Sequence, residues 1–208
     1  MNRTQVDLIR PVTPADEAVL HDFFAGLSVE SRYLRFFAPV TPSCDLLDLM
    51  AGKPAHVDAI VAVADGVIVG HAMAADQPAP ENAGHPGQAG GPRATDVGVV
   101  VADAWQRRGV GAALMRTLIG RAQTRGVTAL AMDVLPGNRR VLAMIAGHWP
   151  EAAIGRSAEG VDIRIPLPPY QPRPPYQPRP PYAARTATRA TAWPPAVTVG
   201  KPLAPVGR

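Results

Sequence analysis

The stretch DAWQRRGVGAALM, residues 103–115, decides how the rest of the chain is read. It sets two glycines, Gly109 and Gly111, at the mouth of a segment with helical spacing, directly after Arg107 and Arg108. The first N–H groups of a helix have no partner within it, and the peptide dipoles favour an anion there. Glycine removes the Cβ that would hold a ligand off the backbone. The stretch therefore reads as a phosphate seat. A nucleoside-triphosphate loop, Gly-x-x-x-x-Gly-Lys-Ser/Thr, needs a lysine and a metal-binding hydroxyl that are missing here. A dinucleotide fold is a stronger rival, since a strand precedes, a helix follows, and Asp133 ends the next strand 22 residues beyond Gly111. Against it, the third glycine position is Leu114. Seven residues, 102–108, also separate the strand end from Gly109, where that motif turns at once. What remains is a compact pyrophosphate at a helix N-terminus, reached from outside by an extended ligand.

Outward from this helix, which spans about Gly109 to Arg125 and stops at Gly126, the chain alternates. ATDVGVVVAD (94–103) is an apolar strand before it; VTALAMDVL (127–135) is a strand after it. GNRRVLAMIAGH (137–148) is a helix and GVDIRIPL (160–167) a last strand. Upstream, VDLIR (6–10) is a short strand. TPADEAVLHDFFAGL (13–27) reads as a helix with Thr13 as N-cap and Pro14 at its first position. Ser28 restarts a second helix through VESRYLRFF (29–37), whose Tyr33, Leu34, Phe36 and Phe37 read mostly as core. HVDAIVAVAD (56–65) and VIVGHAMAA (67–75) are β-rich runs meeting at Asp65-Gly66, a hairpin signal. DQPAPENAGHPGQAGGPR (76–93) is a Gly/Pro-rich loop. The fold class is mixed α/β (α+β): antiparallel strands first, then a strand–helix–strand unit.

The net charge of +4 divides unevenly. Residues 1–166 carry 15 Lys/Arg against all 17 Asp/Glu, and residues 167–208 carry six basic residues and no acid. The basic balance thus belongs to a tail and says nothing about a basic face on the domain; a nucleic-acid partner is not expected. That tail repeats PPYQPR (168–173), PPYQPR (174–179) and PPYAAR (180–185), a density of proline that permits neither helix nor ladder. The expected organisation is a domain over 1–166 and a disordered Pro/Arg-rich tail over 167–208. No run of about 18 apolar residues predicts a membrane span. MNRTQVDLIR lacks an apolar signal core, so a cytoplasmic location is expected. One cysteine, Cys44, excludes an internal disulfide framework and a cysteine-based metal site; before an apolar helix it reads as packing.

Gln106-Arg107-Arg108-Gly109-Val110-Gly111-Ala112 resembles the acetyl-CoA motif Gln/Arg-x-x-Gly-x-Gly/Ala of the GNAT N-acetyltransferase superfamily. The strand TDVGVVV before it, the strand LAMDVL after it and then Asn138 follow that family's order, over most of residues 6–166. FFAGLSVESRYLRFF (23–37) is similar to the corresponding segment of bacterial protein lysine acetyltransferases. The resemblance implies a central, mostly antiparallel mixed sheet flanked by helices, with acetyl-CoA as co-substrate in a split between central strands. It implies that Val99 and Val101 pair with the pantetheine arm. It also implies that the amides of Arg107, Arg108, Gly109, Val110, Gly111 and Ala112 hold the pyrophosphate, that Gln106 belongs to the cofactor-binding set, and that Asn138 touches the cofactor. Asn138 is equally placed to be a helix N-cap. No metal is implied, and a homodimer stays open.

Transfer from a thioester to an amine needs the neutral amine. A lysine is neutral in about one part in 10³ at pH 7, a cost of roughly 4–5 kcal/mol. A positioned base returns about 10²–10⁴-fold. Asp96 matches the position where relatives often carry a glutamate, one methylene longer. Relatives often place a leaving-group tyrosine on the helix after Asn138, but NRRVLAMIAGHWP (138–150) has none, and His148 is a weak substitute. His71 reads as a satisfied strand histidine. The expected activity is direct acetyl transfer in a ternary complex to a primary amine, a protein lysine above others. The alternatives are a small-amine acetyltransferase and a non-catalytic CoA-binding sensor or scaffold.

Overall fold

Seven strands and five helices account for most of residues 6–78, 93–156 and 160–169, the parts that the computed structural model describes. Most of the loop expected at 76–93, and the repeat tail from residue 170, lie outside the described residues.

Strand β1 (Leu8–Pro11) leads into a single 3-10 turn, Pro14–Asp16, and then into helix α1 (Glu17–Ala25). The helix therefore begins later than Thr13. Asp16 is the reason. Its carboxylate accepts the Thr13 N–H and hydroxyl at 2.7 Å and both terminal nitrogens of Arg10 at 2.6 and 2.7 Å. The Arg10 hydrogen bonds hold this buried carboxyl far below the usual carboxylate range. Helix α2 (Val29–Phe36) is capped by the Ser28 hydroxyl, which accepts from the Ser31 N–H. Helix α3 (Cys44–Met50) is capped by Ser43 in the same way. Cys44 stands exposed at its first position rather than packed. In α2, Tyr33 and Leu34 are likewise exposed; Phe36 alone of the four expected core residues packs against the core cluster.

Strands β2 (Val57–Ala64) and β3 (Val67–Asp76) form the expected hairpin, with Asp65 and Gly66 both left-handed at φ 50° and 77°. Strand β4 (Ala94–Val101), helix α4 (Val110–Thr124), strand β5 (Ala129–Val134) and helix α5 (Arg139–His148) follow. Strand β6 (Ala153–Arg156) was not expected: all four residues are exposed, and pairing with β7 (Val161–Pro166) is what makes them a strand.

The sheet order is β1-β2-β3-β4-β5-β7-β6, and β4–β5 is its parallel contact among antiparallel neighbours. Leu20, Phe23, Phe24 and Met50 from α1 and α3 pack on Val61, Met73 and Val100 on one face. Val110, Leu114 and Leu118 of α4 pack on Ile60, Ala62, Ala72 and Ala74 on the other. Strand alternation then sorts β4: Asp96, Gly98 and Val100 face the α1–α3 side, and Val97, Val99 and Val101 face α4. The far end of α4 is fixed by charge, with Arg121 and Arg125 both on the Asp58 carboxylate.

Candidate active site

Strands β4 and β5 pair over three positions only, Ala94–Asp96 against Ala129–Ala131. Beyond Asp96, β4 runs five residues further along β3 with no β5 partner, so the sheet opens into a split. Ala94 O accepts from Gln77 and Ala102 N donates to Val69 O, both toward β3, which leaves the odd-numbered backbone groups of β4 facing the split. Those of Val99 and Val101 are among them. The Val101 carbonyl also accepts the Gln106 side-chain amide at 3.2 Å.

The wide end of the split meets the loop before α4. Arg107 and Gly109 both take left-handed backbone, at φ 61° and 82°. Glycine adopts this without strain at Gly109; Arg107 does so against its own preference. Left-handed residues alternating with ordinary ones turn successive N–H groups inward to form an anion-binding concavity. The first intrahelical bond into α4 is Ala113 N–H to Gly109 O, so the amides of Val110, Gly111 and Ala112 have no helical acceptor. Arg108 lies over the Trp105 ring at 5.3 Å. These free donors, the helix dipole and two arginines fit a pyrophosphate.

Gln106 differs from that set. Its N–H donates to Asp103 O at 3.3 Å, and its side chain donates to Val101 O and to the Ser31 hydroxyl at 3.0 Å. It holds the loop rather than presenting a free donor. Its neighbour Asp103, which the sequence reading passed over, accepts from the Ser28 N–H at 3.0 Å, the Ser28 hydroxyl at 2.6 Å and the Ser31 hydroxyl at 2.8 Å. Partial burial raises the Asp103 pKa, but these hydrogen bonds outweigh it and leave the group below the ordinary value. The start of α2 is thereby tied to the phosphate loop. An acid after a strand and a Ser-x-x-Ser cap 72–75 residues upstream carry no sequence signal of meeting.

Asp96 stands exposed at the narrow end of the split, at the last paired position of β4, where its carboxylate accepts from Gln77 Nε2 at 2.9 Å. Asn138 caps α5, its side-chain oxygen accepting the Val141 N–H at 3.3 Å. His148 bonds the Met144 carbonyl through Nδ1 at 3.0 Å, at the C-terminal end of α5. His71 is fully buried and donates from Nε2 to Met50 O at 2.8 Å, while its Nδ1 has no partner. Burial lowers its pKa to about 4, with the nearby Arg35 charge acting in the same direction. Among the described residues no cluster of His, Cys, Asp and Glu could hold a metal, and no helix is long and apolar enough to cross a membrane.

Residues 26–146 match the model of the acetyltransferase (GNAT) family. No curated protein sequence matches the chain. Among solved structures, the chain is similar to the GNAT domain of S. lividans PAT, with 27% identity and a TM-score of 0.60 over 76% of this chain and 89% of that one. It shares the fold of the ribosomal-protein-alanine N-acetyltransferase from Brucella melitensis (20% identity, TM-score 0.56, 77% and 99% covered). It also shares the fold of yncA, a putative acetyltransferase from Salmonella typhimurium solved with acetyl-CoA (16%, 0.56, 79% and 95%). The sheet with its split, the phosphate loop and the family match lead to one statement: this chain belongs to the acetyltransferase (GNAT) family and is an acetyl-CoA-dependent N-acetyltransferase.

Proposed function

We propose that this acetyltransferase acts on the side-chain amine of protein lysines by direct attack in a ternary complex, with Asp96 as the base. The observation that carries the reading is the run of one strand. β4 has a carboxylate at its narrow end, unpaired backbone in the middle, and the α4 amides just beyond its far end. Acetyl-CoA supplies an activated acyl group and a thiolate leaving group. The chain's own residues do the rest. The amides of Val110 to Ala112, with Arg107 and Arg108, hold the pyrophosphate, and Val99 and Val101 align the extended arm as an added strand would be aligned. Asn138, at the start of α5, is the contact proposed on the β5 side. Asp96 takes the proton as the amine nitrogen attacks, and its Gln77 hydrogen bond orients it.

Protein lysine is favoured by the α2 segment and by the likeness to the GNAT domain of S. lividans PAT. The absence of tyrosine from α5 favours a second reading, a CoA-binding protein without turnover. One pair of measurements separates them. Acetyl-lysine proteomics of cells with and without this protein is expected to show lysines lost with it. In vitro, Asp96→Ala is expected to lower kcat about 10²–10⁴-fold while acetyl-CoA binding stays intact. Full activity in that variant removes Asp96 from the mechanism, and no acetylated lysine in either assay leaves the small-amine and sensor readings.

A further inference from the structure

Arg35 is a charge without a counter-charge. It projects from α2 over β4 so closely that a Cβ on Gly98 would collide with its guanidinium. Its Nε is sealed from solvent and has no hydrogen-bond partner. Desolvation lowers its pKa to about 10, which leaves it charged at neutral pH, and no carboxylate among the described residues acts on it. The Phe36 ring, 5.3 Å away, offsets part of that cost. The residue as a whole is half-buried, yet Nε is sealed, and a guanidinium held there without a carboxylate costs free energy that an anionic ligand would offset.

Its position says which ligand. Gly98 and Asp96 lie on the same face of β4, two residues or roughly 7 Å apart. We infer that Arg35 receives a carboxylate carried by the acceptor, so that the acceptor lies along β4 with its amine at Asp96 and its anion against the guanidinium that covers Gly98. The separation suits an amine and a carboxyl carbon about six extended bonds apart, the spacing within lysine itself. An acidic side chain beside an acceptor lysine supplies the same chemistry. The bidentate fork of arginine matches a carboxylate better than a lysine ammonium would. This rests on the reading of Asp96 as facing the amine.

The test is binding to the CoA-loaded enzyme, which cannot turn over. Two pairs of probes differ only in the carboxylate: N-acetyl-Glu-Lys-amide against N-acetyl-Gln-Lys-amide, and free lysine against lysinamide. The carboxylate member of at least one pair is expected to bind about 10- to 100-fold tighter, the range of a charge-assisted hydrogen bond. A response in the first pair points to a protein source and in the second to a small molecule. Arg35→Met is expected to bring the ratio near one with CoA affinity unchanged. If that variant does not fold, Arg35→Lys is expected to keep the charge and lose most of the preference. A wild type indifferent to both pairs overturns the inference, as does a ratio that survives either substitution. A preference that appears only in Glu81→Gln or Glu159→Gln, the acids outside the described residues, shows the guanidinium paired within the chain and overturns it too. Turnover of the same probes with acetyl-CoA is read separately: binding preference without acetylation sinks the transfer reading and leaves Arg35 in place.

Discussion

His71 shows how one side chain can set the response of the whole fold to acid. Its imidazole is buried against Phe24, with ring centroids 5.3 Å apart, and is kept neutral by burial and by the Arg35 charge. The unfolded chain takes up a proton near pH 6.5, the native state only near pH 4. The native state therefore binds fewer protons through that window. Stability is full above pH 6.5 and falls as pH drops toward 4, by on the order of 2 kcal/mol at pH 5. Thermal melting at pH 7 and pH 5 is expected to show that loss in wild type and a smaller one in His71→Gln, which has no such proton to exclude. Equal losses would remove His71 as the cause. At this scale the sequence showed the histidine on its strand and the glycines of the phosphate loop. It could not show the left-handed Arg107, since arginine has no preference for that backbone, or the unpaired Nδ1, which depends on packing against residues distant in sequence.

Between elements, the Asp103 carboxylate joins the cap of α2 to the turn that follows β4. Removing it leaves one N–H and two hydroxyls without their acceptor. Ser31 is buried while Ser28 lies nearer water, so the expected loss of stability is about 1–3 kcal/mol. The larger effect is positional, since Gln106 reaches Ser31 from the same loop. Asp103→Ala is expected to weaken acetyl-CoA binding several-fold in a calorimetric titration, and Asp103→Asn to restore part of it. Unchanged affinity in both would separate α2 from the phosphate loop. Helices α2, α4 and α5 were legible through their caps, breaks and periodicity. Strand β6 was not: Ala153–Arg156 has no buried alternation, and its pairing with β7 is set by tertiary register. The start of α1 was missed for a similar reason, because Arg10 pulls Asp16 into a tight turn.

For the molecule as a whole, packing continues just past the expected domain end at Pro166. Leu167 is buried beside Ile163 and Ile165, and its N–H donates to Thr128 O at 2.8 Å; the Pro168 carbonyl accepts from Gln123 at 2.8 Å. The chain divides after Gln171 into two units, of which the second lies outside the described residues. A protein ending at Gln171 is expected to melt with the full chain and bind acetyl-CoA equally well. One ending at Pro166 is expected to lose about 2 kcal/mol, mostly the burial of one leucine. Identical melting of the two truncations would show that Leu167 contributes nothing.

The split has a consequence for motion. A central strand of a sheet normally holds its amide protons longest, since their release needs the whole fold to open. Here Val99 and Val101 sit mid-sheet yet turn their N–H groups into a gap, so they are expected to trade hydrogen for deuterium as fast as an outer edge does. Among the described residues, three ladder pairs and the Arg93 carbonyl, which accepts from Thr128 and Ala129, stitch the β1–β4 part of the sheet to the β5–β7 part beside that gap. A donor lying in it would close the seam, slow exchange on both sides, and make two halves breathe as one.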